Sequence, residues 1–189
     1  MSGDKQKPTC FIIMPFGEAG SKEEKRSLDV YRIMLKPAVE SLGYVTTRAD
    51  DFHHTGSITR DIIESLYNAD IVIADLTGGN PNVFYELGVR HTLKKSGTIP
   101  IIEKGHNLPF DISDYRAIFY STDIAGAKDF EKDLQRKIVA VREAAREDRH
   151  DNPVHSVLGE KLHFRPLTED EEEMRTKLQI INMMSELLR

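Results

Sequence analysis

Three segments of this 189-residue chain concentrate side chains that can hold or break bonds in a small polar molecule. The richest is Ala74-Asp75-Leu76-Thr77-Gly78-Gly79-Asn80-Pro81-Asn82-Val83-Phe84-Tyr85-Glu86-Leu87-Gly88. Pro81 suits the first turn of a helix, which places Glu86 about 7–8 Å of axial rise further on, inside the first two turns. A carboxylate there can point back toward the strand that ends at Asp75 and act as an acid, a base or a nucleophile. Asn80 and Asn82 add donors and acceptors at the mouth. The same residues also fit a plainer role, with Asp75 and Asn80 shaping a turn and Glu86 solvated.

The second segment is Pro15-Phe16-Gly17-Glu18-Ala19-Gly20-Ser21. Its glycines let the backbone approach a ligand, and the helix that follows offers free N–H groups to an anion. It is neither GxGxxG nor a Walker loop, so a simple flexible connection explains it equally well. In the third, Arg48-Ala49-Asp50-Asp51, Arg48 can meet a phosphate and Asp50 can accept from ribose hydroxyls; an exposed ion network is the alternative. Pro109-Phe110-Asp111, Tyr115 and Arg116 would frame the far side, with Arg116 as a second phosphate candidate. His53 and His54 are adjacent, point different ways and have no cysteine nearby, so no metal is expected there, and no cofactor is implied. A Gly-x-Ser-x-Gly elbow is absent from the sequence, and Cys10, at a strand start, is a poor nucleophile.

These segments must be positioned by an alternation of strands and helices. Cys10–Met14 is a continuous apolar run that predicts a buried strand. A helix is expected over 22–42, broken or kinked at Pro37, then a strand at Tyr44–Arg48 and a helix from an N-cap at Ser57 to Asn68. Ile71–Ala74 is the clearest strand, followed by a helix over 81–95, strands at Thr98–Ile102 and Ala117–Tyr120, and a helix over 126–149 with Phe130, Leu134, Ile138 and Val141 inward. Five such alternations predict an α/β fold: a five-stranded parallel, flavodoxin-like (Rossmann-like) three-layer sandwich of strand order 2-1-3-4-5. Ligands bind such sheets at the carboxyl ends of the strands, which selects 15–21, 48–57, 75–86 and 103–116. The α/β domain is expected over residues 1–150. Residues 151–189 then supply a connector, HDNPVHSVLG, and an amphipathic C-terminal helix over 168–188, N-capped by Thr168.

The net charge of −5 is concentrated in that last helix: residues 168–189 hold six acids and three bases, a net of −3. The body is close to neutral and lacks the basic field that duplex nucleic acid requires. No apolar run approaches the ~20 residues that span a bilayer. No apolar leader is visible in MSGDKQKPTC, and one cysteine permits no intrachain disulfide, so a cytoplasmic protein is expected. Met174, Leu178, Ile181, Met184 and Leu188 are too many to leave bare on one helix, which predicts a homodimer or larger.

The stretch ADIVIADLTGGNPNVFYELGVRHTL, together with CFIIMPFG, resembles the nucleoside 2-deoxyribosyltransferase-like superfamily over roughly residues 10–120. That superfamily includes transferases that exchange nucleobases and nucleoside-monophosphate N-glycosidases that use water. Its architecture is similar to TIR domains, some of which cleave NAD with a helical glutamate. The resemblance implies that Glu86 is the nucleophile at the anomeric carbon, that Asp75 fills an acidic position ending the third strand and is a second catalytic candidate, orienting the sugar or base with Asn82, and that Asn80 replaces an aspartate holding sugar hydroxyls. The substrate pocket is expected to be bordered by Pro15, Phe16 and Gly17, with Phe16 or Tyr85 against the base and Arg48, Asp50, Asn82 and Arg116 as further contacts. The transferases' base-handling aspartate falls at Ile62, with Asp61 one residue away, which favours hydrolysis over transfer. The expected ligand is a nucleoside, a nucleotide or an NAD-like molecule. The alternative is a non-catalytic nucleotide-sensing or protein-interaction module on the same fold.

Overall fold

The computed structural model describes residues 7–51, 58–113, 116–162 and 168–187. Five parallel strands form one sheet in the order β2-β1-β3-β4-β5: β1 Thr9–Ile13, β2 Val45–Arg48, β3 Ile71–Asp75, β4 Thr98–Glu103 and β5 Ile118–Tyr120. This is the expected order, and the chain reverses direction of travel across the sheet between β2 and β3, on either side of β1. Successive residues of β1 explain why its sequence is apolar throughout. Cys10 and Ile12 pack on one face with Leu35, Phe130, Leu134 and Ile138. Phe11 and Ile13 pack on the other with Leu66, Val72, Val83 and Leu87. A strand buried on both faces has no polar side to alternate.

The first face carries α1 Lys22–Asp29, α2 Lys36–Glu40 and the long α5 Ile124–Arg146, whose expected stripe of Phe130, Leu134, Ile138 and Val141 is buried. Between α1 and α2, Val30–Leu35 forms a π-helical turn in which the Lys36 N–H bonds to the Tyr31 carbonyl. Pro37 has no N–H and its ring crowds the carbonyl four residues back, so the wider turn accommodates it without ending the helical path.

The second face carries α3 Ile58–Asn68 and α4 Pro81–Leu93. They are joined by Arg90, buried in α4, whose guanidinium donates to the carbonyls of Leu66 (2.6 Å) in the last turn of α3, of Ala69 (2.9 Å) just after it and of Gly97 (3.2 Å) before β4. Burial lowers its pKa to about 10, so it remains a cation. The expected connector after α5 instead contains α6 Pro153–Leu158. Asn152 caps it by accepting from the His155 N–H (3.0 Å) and donates to the carbonyls of Lys94 and Lys95, which ties it to the end of α4. Residues Glu169–Leu187 form α7, where Thr168 and Glu171 make a reciprocal capping box. No helix among the described residues is long and apolar enough to cross a membrane. Ser57, His53, His54, Tyr115 and Leu188 lie outside the described residues.

Candidate active site

The placement of Glu86 begins with the turn after β3. Gly78 and Gly79 both have positive φ (75° and 69°), a pair of conformations that residues with a Cβ rarely adopt in succession. This tight turn delivers Asn80 as the N-cap of α4, its Oδ1 accepting from the Asn82 N–H at 2.9 Å, and Pro81 begins the helix. Val83 and Leu87 then face the core, which turns Glu86 toward the carboxyl ends of the strands.

Asp75 anchors the same turn from below. Its carboxylate is fully buried and accepts from the Thr77 N–H (3.1 Å) and hydroxyl (2.5 Å) and from the Tyr120 hydroxyl (2.8 Å). Arg26 lies 3.5 Å from it and donates to Glu103 at 2.6 Å and to the Tyr120 hydroxyl. Burial, then the Asp75 charge, push the Tyr120 phenol well above its ordinary range, so it stays a donor. Asp75 therefore sits under the site and does not line it.

The largest cavity described has a volume of about 750 Å³ and lies at these strand ends. Phe16 and Gly17 form one border. Gly17 is held against the first turn of α1, where a Cβ would fall 2.5 Å from the Glu24 nitrogen. Asp50, Asn80, Asn82, Tyr85 and Glu86 supply the polar wall, while Ile58, Thr59, Ile62 and Ile63 of α3 form an almost wholly aliphatic one. Seven residues expected at the site thus meet in one cavity: Phe16, Gly17, Asp50, Asn80, Asn82, Tyr85 and Glu86. The α3 wall was visible in the sequence only as an apolar helical stripe, and such a stripe reads the same whether it faces a core or a cavity. Glu18 and Glu23, which also line the cavity, carried no sequence signal beyond their charge.

Within the cavity Glu86 is distinctive. Its side chain makes no hydrogen bond or ion pair among the described residues, and burial alone raises its pKa to about 7. A carboxylate desolvated without a counter-ion is held in an environment that favours either protonation or the arrival of a positive charge.

Pro15, Arg48 and Arg116 are placed elsewhere. Pro15 is buried and does not line the cavity. The Arg48 guanidinium is also buried. It donates to Asp50 through Nε (2.7 Å) and again through Nη2, and it lies between the rings of Phe16 (4.9 Å) and Tyr31 (4.7 Å). With its fork satisfied by Asp50, Arg48 fixes that carboxylate in the cavity wall and is not open to a phosphate. Arg116 precedes β5 and so sits at the amino ends of the parallel strands, away from the cavity at their carboxyl ends, in a separate cavity of about 480 Å³ beside Thr98 and Lys137. Phe110, expected on the far side, is exposed and does not border the cavity.

No family model and no curated protein matches the chain. Among solved structures, it is similar to a CMP N-glycosidase from Clostridium botulinum, with 16% identity and a TM-score of 0.48 over 68% of this chain and 98% of that one. It is also similar to a 2-desoxiribosyltransferase from Leishmania mexicana, with 19% identity and a TM-score of 0.40 over 58% of this chain and 72% of that one.

Proposed function

We propose that the chain is an enzyme that cleaves the N-glycosidic bond of a nucleoside-type molecule, with Glu86 as its catalytic carboxylate. The observation that carries this is the Glu86 side chain: desolvated, unpaired among the described residues, and on the wall of a cavity at the strand ends. As the bond from C1′ to the base nitrogen breaks, positive charge develops on C1′ and the ring oxygen. An ionised Glu86 beside C1′ either captures that carbon or stabilises it until water adds. Asp50, locked by Arg48, and Asn80, whose Nδ2 has no partner among the described residues, are suited to the sugar hydroxyls. Phe16 and Tyr85 offer aromatic faces to the base, and the isoleucines of α3 exclude water around it.

Hydrolysis is favoured over transfer to a second base. Ile62 lines the cavity at the position where the resemblance places a base-handling aspartate, and Asp61 lines a different groove beside Thr9 and Thr47. Asp75 is assigned a positioning role, acting through Thr77 and the turn that begins α4. The protein is further proposed to be a cytoplasmic homodimer or larger assembly, joined through the apolar side of α7, on which Met174, Leu178 and Ile181 are exposed.

Incubation of the full-length protein with nucleosides, nucleoside monophosphates and NAD, followed by chromatography for free base, tests the reaction. Release of base from at least one of them is expected. A melting temperature raised by one of these compounds without any release would replace the enzyme with a binding module.

A further inference from the structure

The cavity's two walls specify more than the bond. On the base side, the described wall is Ile58, Thr59, Ile62 and Ile63, none of which is an acid able to protonate a departing heterocycle. Glu86 is committed to C1′ and cannot also serve the base in the same step. On the sugar side and at the opening stand Glu18, Glu23, Asp50 and Glu86, with no lysine or arginine among the described lining residues. Arg48 is sealed against Asp50 beneath Phe16. The Glu18, Glu23 and Glu86 carboxylates have no hydrogen-bond or ion-pair partner among the described residues, so a phosphate brought into the cavity would meet like charge on several sides, with helix N–H groups but no cationic side chain among the described lining residues to offset it.

We infer that the substrate is an N-glycoside of a positively charged heterocycle, such as a pyridinium, whose sugar carries no phosphate. This rests on the glycosidic chemistry proposed above. A cationic base needs no proton donor: the C1′–N⁺ bond breaks, its electron pair returns to the ring nitrogen, and the base leaves neutral. Glu86 or water takes the vacated position on C1′; water finally supplies the hydroxyl there and one proton is released. The acidic wall attracts such a base on the way in and loses that attraction once it is neutral, which also assists product release.

The experiment compares nicotinamide riboside with its 5′-monophosphate and with cytidine and inosine. Base release by the full-length protein is followed by chromatography. Binding is measured by calorimetry with carbocyclic nicotinamide riboside and its 5′-phosphate, in which a methylene replaces the ring oxygen so that the bond stays intact. The expected results are a kcat/KM for the riboside at least about tenfold above each of the others, and binding of the unphosphorylated analogue tighter by about the same factor. That binding preference should shrink with added salt and in the Glu18→Gln/Glu23→Gln protein, whose altered side chains are exposed. Equal or better turnover of the monophosphate or of a neutral nucleoside would overturn the inference, as would tighter binding of the phosphorylated analogue. The expected binding order with no base released from any compound would support the charge selectivity and reject the enzyme.

Discussion

At the scale of single residues, burial without a partner among the described residues distinguishes Glu86 from the fully buried but hydrogen-bonded Asp75. The Glu86 pKa of about 7 lies above the ordinary glutamate range because the ionised form is desolvated without compensation. If the ionised form is the catalyst, kcat/KM for base release should rise with pH through a midpoint near 7 and then level off; a flat or falling profile over pH 6–8 would count against it. The same shift has a stability consequence of opposite sense. Between the unfolded and folded pKa values the native state binds more protons than the unfolded chain, so stability falls as pH rises from about 4.5 to 7. Glu86→Gln removes that penalty and should be more stable than wild type at pH 8 by urea denaturation, by about 1 kcal/mol because solvent screens the part-exposed carboxylate, with the gain vanishing near pH 4.5. The spacing from Pro81 placed Glu86 near the strand ends but fitted a solvated side chain as well, and only the resemblance of the Glu-Leu-Gly segment singled it out. Arg48 was visible as a cation, but that Asp50 and two aromatic rings occupy it depends on how residues 48–51 fold back and on a tyrosine seventeen positions earlier.

At the scale of elements, the site depends on how the β3–α4 turn is held. The group of Asp75, Thr77, Tyr120, Arg26 and Glu103 links four elements through charge-assisted bonds out of water. Asp75→Ala should cost about 1–3 kcal/mol in chemical denaturation, because the Thr77 N–H and hydroxyl and the Tyr120 hydroxyl lose their buried acceptor while Arg26 keeps Glu103. Tyr120→Phe, which leaves Arg26 in place, should cost about 1–3 kcal/mol. A loss below about 0.5 kcal/mol for Asp75→Ala would show that the network does not brace the turn. The strand order and the five βα alternations were readable from apolar runs and turn residues alone. The helix α6 was not, since its Asn152-Pro153 start resembles a turn and its stability comes from the Lys94 and Lys95 carbonyls far away in sequence. The π-turn was equally hidden: Pro37 signals a disturbance, and the packing of Val30, Tyr31 and Leu35 determines that the helix widens rather than stops.

At the scale of the whole molecule, charge and exposed apolar surface separate into different parts. The acids of α7 begin a helix whose dipole they complement, while its exposed Met174, Leu178 and Ile181 repeat at helical spacing. The full chain should therefore sediment as a dimer or larger, and truncation after residue 166 should yield a monomer; an unchanged monomeric coefficient in both would remove α7 as an interface. The cavity, by contrast, is acidic on its own account, independent of the net charge that the terminal helix dominates. The central claim remains that one carboxylate carries the reaction. Its most direct test is the initial rate of base release by wild-type and Glu86→Gln protein on the same substrate, with matching circular dichroism spectra to establish that both are folded. The rate should be lower by about a thousandfold or more in the variant. A variant within a few-fold of wild type would contradict that claim.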